Sequence, residues 1–251
     1  LLKTMGCIPK SMFTTDIEST RNCMQVIKQN GVLFVFPEAR LSTVGKFEGI
    51  QEGTCKFLQR MNSNVYVLKF SGDYLAMPKW AKRKGKSRVN KKALVEANFY
   101  QLYKQGEPMQ ATAEEFEKTI DQAMQYNELE WLNAHPELSY KSKYLAEGLE
   151  NILFKCPECG SELTLSTKGR TITCSHCGMT ATLDDRYGFE GDKPFENFQK
   201  WYEWQNEQLL LQIEQDSDFE LSSHVVLWHQ SPSGRTQLVQ TGEGVCTFGR
   251  D

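Results

Sequence analysis

The chain has 251 residues, of which 39% are hydrophobic and 24% are charged, and its net charge is −3. This length fits one or two domains and is sufficient to bury a core. The longest apolar run, at residues 32–36, is far shorter than the ~20 residues that a membrane-spanning helix requires, so no spanning helix is expected in this stretch. The acidic balance argues against nucleic acid as a partner.

The first hundred residues alternate between helical and strand patterns. A capping pair, Thr15 with Glu18, predicts the start of the first helix. The apolar run after it predicts a strand that is buried on both faces, like a central parallel strand. The predicted order is helix, strand, helix, strand at residues 15–30, 32–36, 51–61 and 65–70. This order predicts an α/β fold, in which sites form at the carboxyl ends of strands, and Glu38 and Arg40 lie at such an end.

Two short runs in this region carry a resemblance to a known family. The run FPEARLS at residues 36–42 resembles the F-P-E-G-x-R-S block of the glycerophospholipid acyltransferases, and GCIPK at residues 6–10 resembles their G-x-I-x-R block. Gly45, Gly53 and the predicted strand at residues 65–67 match features that follow the F-P-E-G-x-R-S block, which we call the glutamate block, in this family. The resemblance covers about residues 1–80 and is to enzymes of the lysophosphatidate (1-acyl-sn-glycerol-3-phosphate) acyltransferase type.

The resemblance implies an enzyme of phospholipid biosynthesis. Such an enzyme moves a fatty acyl chain from acyl-CoA or acyl carrier protein to a lysophospholipid such as lysophosphatidate. By resemblance, Glu38, Arg40 and Lys10 would bind the glycerol and phosphate of this acceptor. An arginine can bind phosphate with two parallel hydrogen bonds, and a glutamate can accept a hydrogen bond from a hydroxyl. The alternative for Glu38 with Arg40 is an ion pair in a surface loop.

Several positions depart from the family pattern. Ala39 replaces its glycine, Leu41 occupies its arginine position, with Arg40 one place early, and Lys10 replaces an arginine. The family's H-x4-D block is absent, because the residues five places after the four histidines are Tyr140, Ala181, His229 and Gly234. No catalytic residue is therefore assigned within these 251 residues. We interpret the chain as a fragment and expect the His–Asp dyad upstream of Leu1.

A strongly basic segment follows the second predicted strand. Without its eight basic residues, 21 basic residues remain against 32 acidic ones, a balance of −11. Segments of this kind are often simply solvated. Because aromatic residues accompany the cations and the resemblance implies an enzyme that acts on membrane lipids, we instead expect residues 74–92 to bind an anionic membrane surface, with nucleic acid as the lesser alternative. The basic residues are Lys79, Lys82, Arg83, Lys84, Lys86, Arg88, Lys91 and Lys92. The predicted location is cytoplasmic and peripheral to the membrane.

Helices predominate between this segment and the next motif. A helix is predicted over residues 112–133, where Thr112 with Glu115 forms a capping box. A short amphipathic helix is predicted over residues 144–154.

Four of the eight cysteines form two pairs. Cys156, Cys159, Cys174 and Cys177 make a C-x2-C-x14-C-x2-C pattern, and the residues between the pairs alternate like two short strands. This pattern predicts a zinc ribbon in which the four thiolates hold a structural zinc ion. Two disulfides are the alternative, and the four unpaired cysteines elsewhere argue against an oxidising compartment. His176 could replace one cysteine but is interpreted as a solvated loop residue.

The remaining residues predict a helix starting at Asp192 and then antiparallel strands at 225–228 and 236–239, joined by a turn at 231–234. The predicted division is an acyltransferase-like part (1–100), a helical linker (101–154), the ribbon (155–183), a helix (184–216) and the start of a β-rich module (217–251). Two functions remain open: an acyltransferase, or a non-enzymatic zinc-ribbon adaptor that carries a degenerate acyltransferase half.

Overall fold

A computed structural model describes residues 3–10, 16–81, 93–191, 194–230 and 238–249. The chain mixes helix and sheet, as predicted. The α-helices of the described residues are α1 (Ile17–Lys28), α2 (Thr54–Met61), α3 (Asp73–Ala76), α4 (Ala113–Met124), α5 (Glu128–Asn133) and α6 (Phe198–Gln215). The strands are β1 (Val65–Ser71), β2 (Glu96–Tyr103), β3 (Leu165–Lys168), β4 (Thr171–Cys174), β5 (Thr180–Leu183), β6 (Phe189–Glu190), β7 (Glu220–Gln230) and β8 (Leu238–Gly249).

The described strands form three separate antiparallel sheets, with the orders β1-β2, β3-β4-β5-β6 and β7-β8. The β1-β2 sheet places Leu68 opposite Phe99. Beside it, α2 and α4 enclose a small core of Cys55, Phe116 and Ile120. β7 includes the strand predicted over residues 225–228, and β8 overlaps the strand predicted over residues 236–239 at its last two positions, 238 and 239.

The predicted parallel strand at residues 32–36 is wrong. These residues have no regular secondary structure, and Val32 and Phe36 are 81% and 84% exposed. A strand exists only where a neighbouring backbone completes its hydrogen bonds. Among the described residues, β1 pairs with β2 and no strand pairs with the 32–36 run. The apolar composition of the run therefore did not determine its structure.

Two helix predictions also need correction. The helix predicted over residues 112–133 is divided into α4 and α5, because Asn127 caps a new helix by accepting a hydrogen bond from Leu129 N at 3.1 Å. The capping box at Thr112 is confirmed. No α-helix forms over residues 144–154, where Gly148 has a φ of 103° and only a 3₁₀ turn, Leu149–Asn151, is present.

The larger core connects parts of the chain that the sequence assigned to different segments. One buried cluster includes Val44 and Trp80 from the first segment, Leu132 from the linker, Cys156 from the ribbon and Trp201 from α6. The ribbon therefore packs against the same interior as the loop that follows the glutamate block.

Some predictions fall outside the described residues. These are Thr15, most of the basic segment (residues 82–92), Asp192 and the turn at 231–234. The described residues nevertheless correct two predicted helix starts. The first helix is capped by Asp16, whose Oδ1 accepts from Ser19 N at 2.8 Å, and α6 begins at Phe198, after its cap Asn197, and not at Asp192. Among the described residues, no helix combines the length and the apolar character needed to span a membrane.

Candidate functional site

The four ribbon cysteines converge on one point. Their Sγ atoms all lie within 4.8 Å of one another, and the Cys156–Cys177 and Cys159–Cys174 pairs are 3.7 and 3.8 Å apart. A disulfide would bring two sulfurs to about 2.05 Å, so these cysteines are free thiols. Tetrahedral coordination with bonds of about 2.3 Å places sulfurs about 3.8 Å apart. The cluster has the geometry and the donor set to hold a metal ion.

Local backbone geometry brings these sulfurs together. In the first knuckle, Gly160 N donates to Cys156 O at 2.9 Å, and in the second, Gly178 N donates to Cys174 O at 3.0 Å. Both glycines have positive φ values, 70° and 79°, which a residue with a side chain rarely adopts. The β3-β4 pairing then places Leu165 opposite Cys174 and brings the second knuckle to the first.

The thiols differ in their surroundings. Hydrogen bonds from the side chain and backbone of Ser161 lower the pKa of Cys159. Burial raises the pKa of Cys156. His176 is not one of the four converging donors, and it is exposed. Its interpretation as a residue other than a ligand agrees with this position.

The glutamate block continues into an ordered loop, residues 38–48. We call it the acceptor loop because it contains Glu38 and Arg40, which were predicted to bind the acceptor. Glu38 is half-buried, and its Oε2 accepts a hydrogen bond from Glu48 N at 3.1 Å. Burial raises the pKa of Glu38, although this amide and a hydrogen bond with Tyr126 act in the opposite direction. Glu48 also accepts a hydrogen bond from Thr43 N. The loop therefore holds Glu38 by backbone as well as side-chain contacts.

Arg40 contacts Glu48 and not Glu38. Its Nε lies 3.2 Å from Glu48 Oε2, and its Nη2 donates to Glu48 O at 3.1 Å. The Arg40 side chain remains 60% exposed, so part of the guanidinium faces solvent. An ion pair in a loop was the alternative interpretation of this arginine, and the structure contains one, with Glu48 as the partner.

Ala39 stands where the resembling block has glycine, and its backbone conformation is one that favours glycine. Ala39 has a φ of 54°, in the left-handed region that glycine adopts without strain. A glycine in the family block would fit the same turn. Leu41, at the family's arginine position, is exposed.

Lys10 does not join the other two predicted acceptor residues. It is exposed and interacts electrostatically with Cys23 of α1. In the part of the chain that the structure describes, no hydrogen bond or ion pair connects Lys10 with Glu38 or Arg40.

Sequence reasoning missed Tyr126. Its carbonyl accepts a hydrogen bond from Phe47 N at 3.0 Å, and its phenol interacts electrostatically with Glu38. Burial raises the pKa of this phenol. Glu38 lies in the run that resembles the family block, but no motif points to a tyrosine 88 positions after it in the sequence. The contact results from the tertiary fold.

Three further contacts hold the acceptor loop. The Tyr74 hydroxyl donates to Thr43 O at 2.6 Å, and the buried Gln199 of α6 donates through Nε2 to Val44 O at 2.8 Å. Glu203, one turn further along α6, pairs with Lys46. Because α6 also packs on the ribbon through Trp201 Nε1, which donates to Lys155 O at 2.8 Å, one helix connects the ribbon to the loop.

The aromatic residues of the predicted membrane segment lie in the interior. Trp80 is 3% exposed and contacts Tyr74 and Phe198 edge-on. Lys79 is exposed, and its Nζ donates to Leu41 O at 3.2 Å. A membrane contact by this segment therefore depends on its basic residues and not on these rings.

No family model, curated protein or solved structure matches this chain.

Proposed function

We propose that the full protein is an acyltransferase that moves a fatty acyl chain from an acyl thioester, acyl-CoA or acyl carrier protein, to a lysophospholipid such as lysophosphatidate. The observation that carries this proposal is the acceptor loop. There the half-buried carboxyl of Glu38 accepts a hydrogen bond from Glu48 N, and the partly exposed guanidinium of Arg40 contacts the same Glu48. A fixed carboxylate next to a cation suits a molecule that carries a hydroxyl and a phosphate.

Each residue has a defined role in the proposal. Glu38 accepts a hydrogen bond from a glycerol hydroxyl, and Arg40 binds the phosphate by exchanging part of its contact with Glu48. Lys10 contributes a more distant positive charge. An acceptor hydroxyl is a poor nucleophile until a base removes its proton. The proposal assigns that step to a histidine–aspartate dyad, which is not among the 251 residues.

The cysteine cluster holds a structural zinc ion in this proposal. Four thiolates complete a tetrahedral coordination sphere, so no open position remains for a substrate. When bound, zinc supplies a cross-link between the two knuckles. Cys156, Cys159, Cys174 and Cys177 would hold it.

The basic segment attaches the protein to the cytoplasmic face of an anionic membrane, where its lipid acceptor is found. Each basic residue near such a surface contributes about 1 kcal/mol of attraction. Replacing Lys82, Arg83, Lys84 and Lys86 with glutamine should weaken binding to anionic vesicles, and added salt should do the same. Binding that is unaffected by both changes would contradict this part of the proposal.

A non-enzymatic adaptor is the second candidate. The Arg40–Glu48 ion pair favours it, since a cation that is already paired is less available to a phosphate. A full-length protein with no H-x4-D block would support the adaptor.

The test of the proposal measures thiol release from acyl-CoA by the full-length protein, with and without lysophosphatidate. Glu38→Gln should lower acyl transfer by ~10²-fold or more, because misplacing a reacting group has an effect of this size. Arg40→Ala should chiefly raise the KM for lysophosphatidate, since a phosphate contact is made in the ground state as well as the transition state. Lys10→Ala should act likewise but more weakly.

Glu52→Gln is the matched control, since Glu52 is an exposed carboxylate outside the acceptor loop. Full activity of Glu38→Gln, on protein shown to be folded, would contradict the acyltransferase proposal.

A further inference from the structure

Lys79 reaches the acceptor loop from the turn that follows α3. Its Nζ donates to Leu41 O at 3.2 Å and lies 3.5 Å from Thr43 Oγ1. Lys79 is exposed, whereas its neighbours Pro78 and Trp80 are buried. The backbone on both sides of this lysine is therefore anchored in the interior, while its ammonium lies on the surface of the acceptor loop.

Two contacts of Tyr74 fix the segment that carries Lys79 against the acceptor loop. The Tyr74 hydroxyl donates to Thr43 O at 2.6 Å, so this segment contacts both the carbonyl and the hydroxyl of Thr43. The Tyr74 ring also packs closely on Gly45, where an added Cβ would lie 2.6 Å from Tyr74 Cδ1. Because neither contact involves the ammonium, the backbone of Lys79 should stay beside the loop when the ammonium exchanges one partner for another.

The charge of Lys79 is not offset by a carboxylate in the part of the chain that the structure describes. Both hydrogen-bond partners of its Nζ are neutral oxygens, and none of the ion pairs among the described residues includes Lys79. Arg40, in contrast, is paired with Glu48, and Lys46 is paired with Glu203. An ammonium has three N–H donors. Since the loop uses at most two of them, one donor and an uncompensated charge remain for an anion.

We propose that Lys79 is a further substrate-binding residue of the acceptor site, and that its ammonium binds the phosphate of lysophosphatidate. This inference rests on the proposed function. Lys79 breaks no ion pair when it binds the phosphate, whereas Arg40 must give up part of its contact with Glu48. A hydrogen bond between an ammonium and a phosphate joins two charged groups and is stronger than the contact with Leu41 O that it can replace.

The phosphate that Lys79 binds has two possible sources, the acceptor itself and the anionic lipids of the surrounding membrane. A short-chain lysophosphatidate that stays monomeric, supplied without vesicles, removes the membrane and leaves the phosphate of the acceptor. A monoacylglycerol of the same chain length lacks the phosphate and keeps the glycerol hydroxyls. A residue that binds the acceptor phosphate should distinguish these two molecules, whereas a residue that only supports the loop should affect both alike.

The experiment measures kcat and KM of the full-length protein for short-chain lysophosphatidate, with monoacylglycerol as a competitor, in the absence of vesicles. Lys79→Gln should raise the KM for lysophosphatidate by about 10-fold, a typical effect of losing a hydrogen bond to a charged group. The kcat and the inhibition constant of monoacylglycerol should stay within about twofold, because the lost contact is made in the ground state and only to the phosphate. Lys79→Arg should restore most of the affinity for lysophosphatidate, since a guanidinium also binds phosphate.

Lys69 provides the matched control. Its Nζ also donates to a backbone carbonyl, Gln125 O at 3.1 Å, but that carbonyl lies outside the acceptor loop. Lys69→Gln therefore removes one lysine charge and one hydrogen bond of the same kind. It should leave the preference for the phosphorylated acceptor unchanged.

The outcomes separate this inference from the proposed function. If Glu38→Gln is impaired but Lys79→Gln leaves the KM unchanged, or weakens lysophosphatidate and monoacylglycerol by the same factor, the phosphate-binding role of Lys79 is overturned and the proposed function stands. An effect of Lys79→Gln that requires anionic vesicles would also overturn this role, because Lys79 would then bind the membrane. If Glu38→Gln is fully active, the proposed function itself fails, and this inference fails with it.

Discussion

The ribbon and the acceptor loop are held in place by different means. The four cysteines lie within 22 residues, and a short hairpin with two glycine turns brings them together. The acceptor loop is instead held by side chains that are distant in the sequence, including Tyr74, Gln199 and Glu203. One site is therefore organised locally and the other by tertiary contacts.

This difference predicts which substitutions should disrupt each site. A locally organised site depends on its own ligands and turns, and a bound metal supplies most of its stability. A loop held by distant residues depends on the integrity of the whole core. Because α6 contacts both regions, loss of the metal should also affect the acceptor loop.

The largest expected effect is the loss of metal from the ribbon. Cys174→Ser removes one of four soft ligands, so the zinc content of purified protein should fall from one ion per chain to well below one. Structural zinc sites have apparent zinc-binding free energies of about 10–16 kcal/mol, and the loss of one ligand should remove a large part of this binding free energy. Metal analysis measures the stoichiometry.

Cys246→Ser, which changes an exposed cysteine outside the cluster, should keep the full metal content. Natural protein with little zinc, and with its ribbon thiols oxidised to disulfides, would contradict the assignment.

A smaller effect concerns Glu128, which adjoins the acceptor loop through the contact of its amide with Gly45 O. Its side chain is 1% exposed and accepts from Gly72 N at 2.7 Å. Burial, with repulsion from Asp73, raises the pKa of Glu128 to about 7. The folded protein thus binds this proton more tightly than the unfolded chain, and stability should fall as the pH rises from about 4.5 to 7.

Glu128→Gln should remove the fall in stability between about pH 4.5 and 7 and raise the free energy of unfolding at pH 8 by about 1 to 3 kcal/mol. Urea unfolding at pH 5 and pH 8 measures the change. Glu130→Gln, an exposed position in the same helix, should retain the pH dependence. An unchanged pH dependence in Glu128→Gln would show that another group causes it.

The smallest effect tests strain inside the acceptor loop. Ala39→Gly removes a side chain from a left-handed position and should raise the free energy of unfolding by about 0.5 to 1 kcal/mol. Ala123→Gly in the last turn of α4 should have the opposite sign, because glycine weakens a helix. Equal destabilisation by both substitutions, measured by urea unfolding, would contradict the strained turn.

The ribbon could be predicted because its spacing contains the whole site. The C-x2-C pairs and the hairpin between them need no residue from elsewhere. Likewise, the Thr112–Glu115 capping box is a local signal, and the structure contains it. The break between α4 and α5 had such a signal in Asn127, which a continuous apolar pattern obscured.

The structure of residues 32–36 and the contacts of the acceptor loop could not be predicted, since they depend on partners that no local pattern specifies. The run at 32–36 has the composition of a buried strand but pairs with no strand among the described residues. Arg40 was interpreted as a phosphate ligand. Its contact with Glu48 could not be foreseen, because it depends on the folded conformation of the acceptor loop. Tyr126 and Gln199 carry no motif, because their role arises from where the fold places them.

The measurement that tests the account most directly is hydrogen–deuterium exchange of the full chain before and after zinc is removed with a chelator. We propose that the four cysteines hold a structural zinc ion and that the ribbon supports the acceptor loop through α6. Amides of residues 155–183 and 42–48 should then both exchange faster without zinc, while those around Cys55, Phe116 and Ile120 keep their protection. An open ribbon with an unchanged acceptor loop, or a ribbon that is indifferent to the chelator, would contradict that claim.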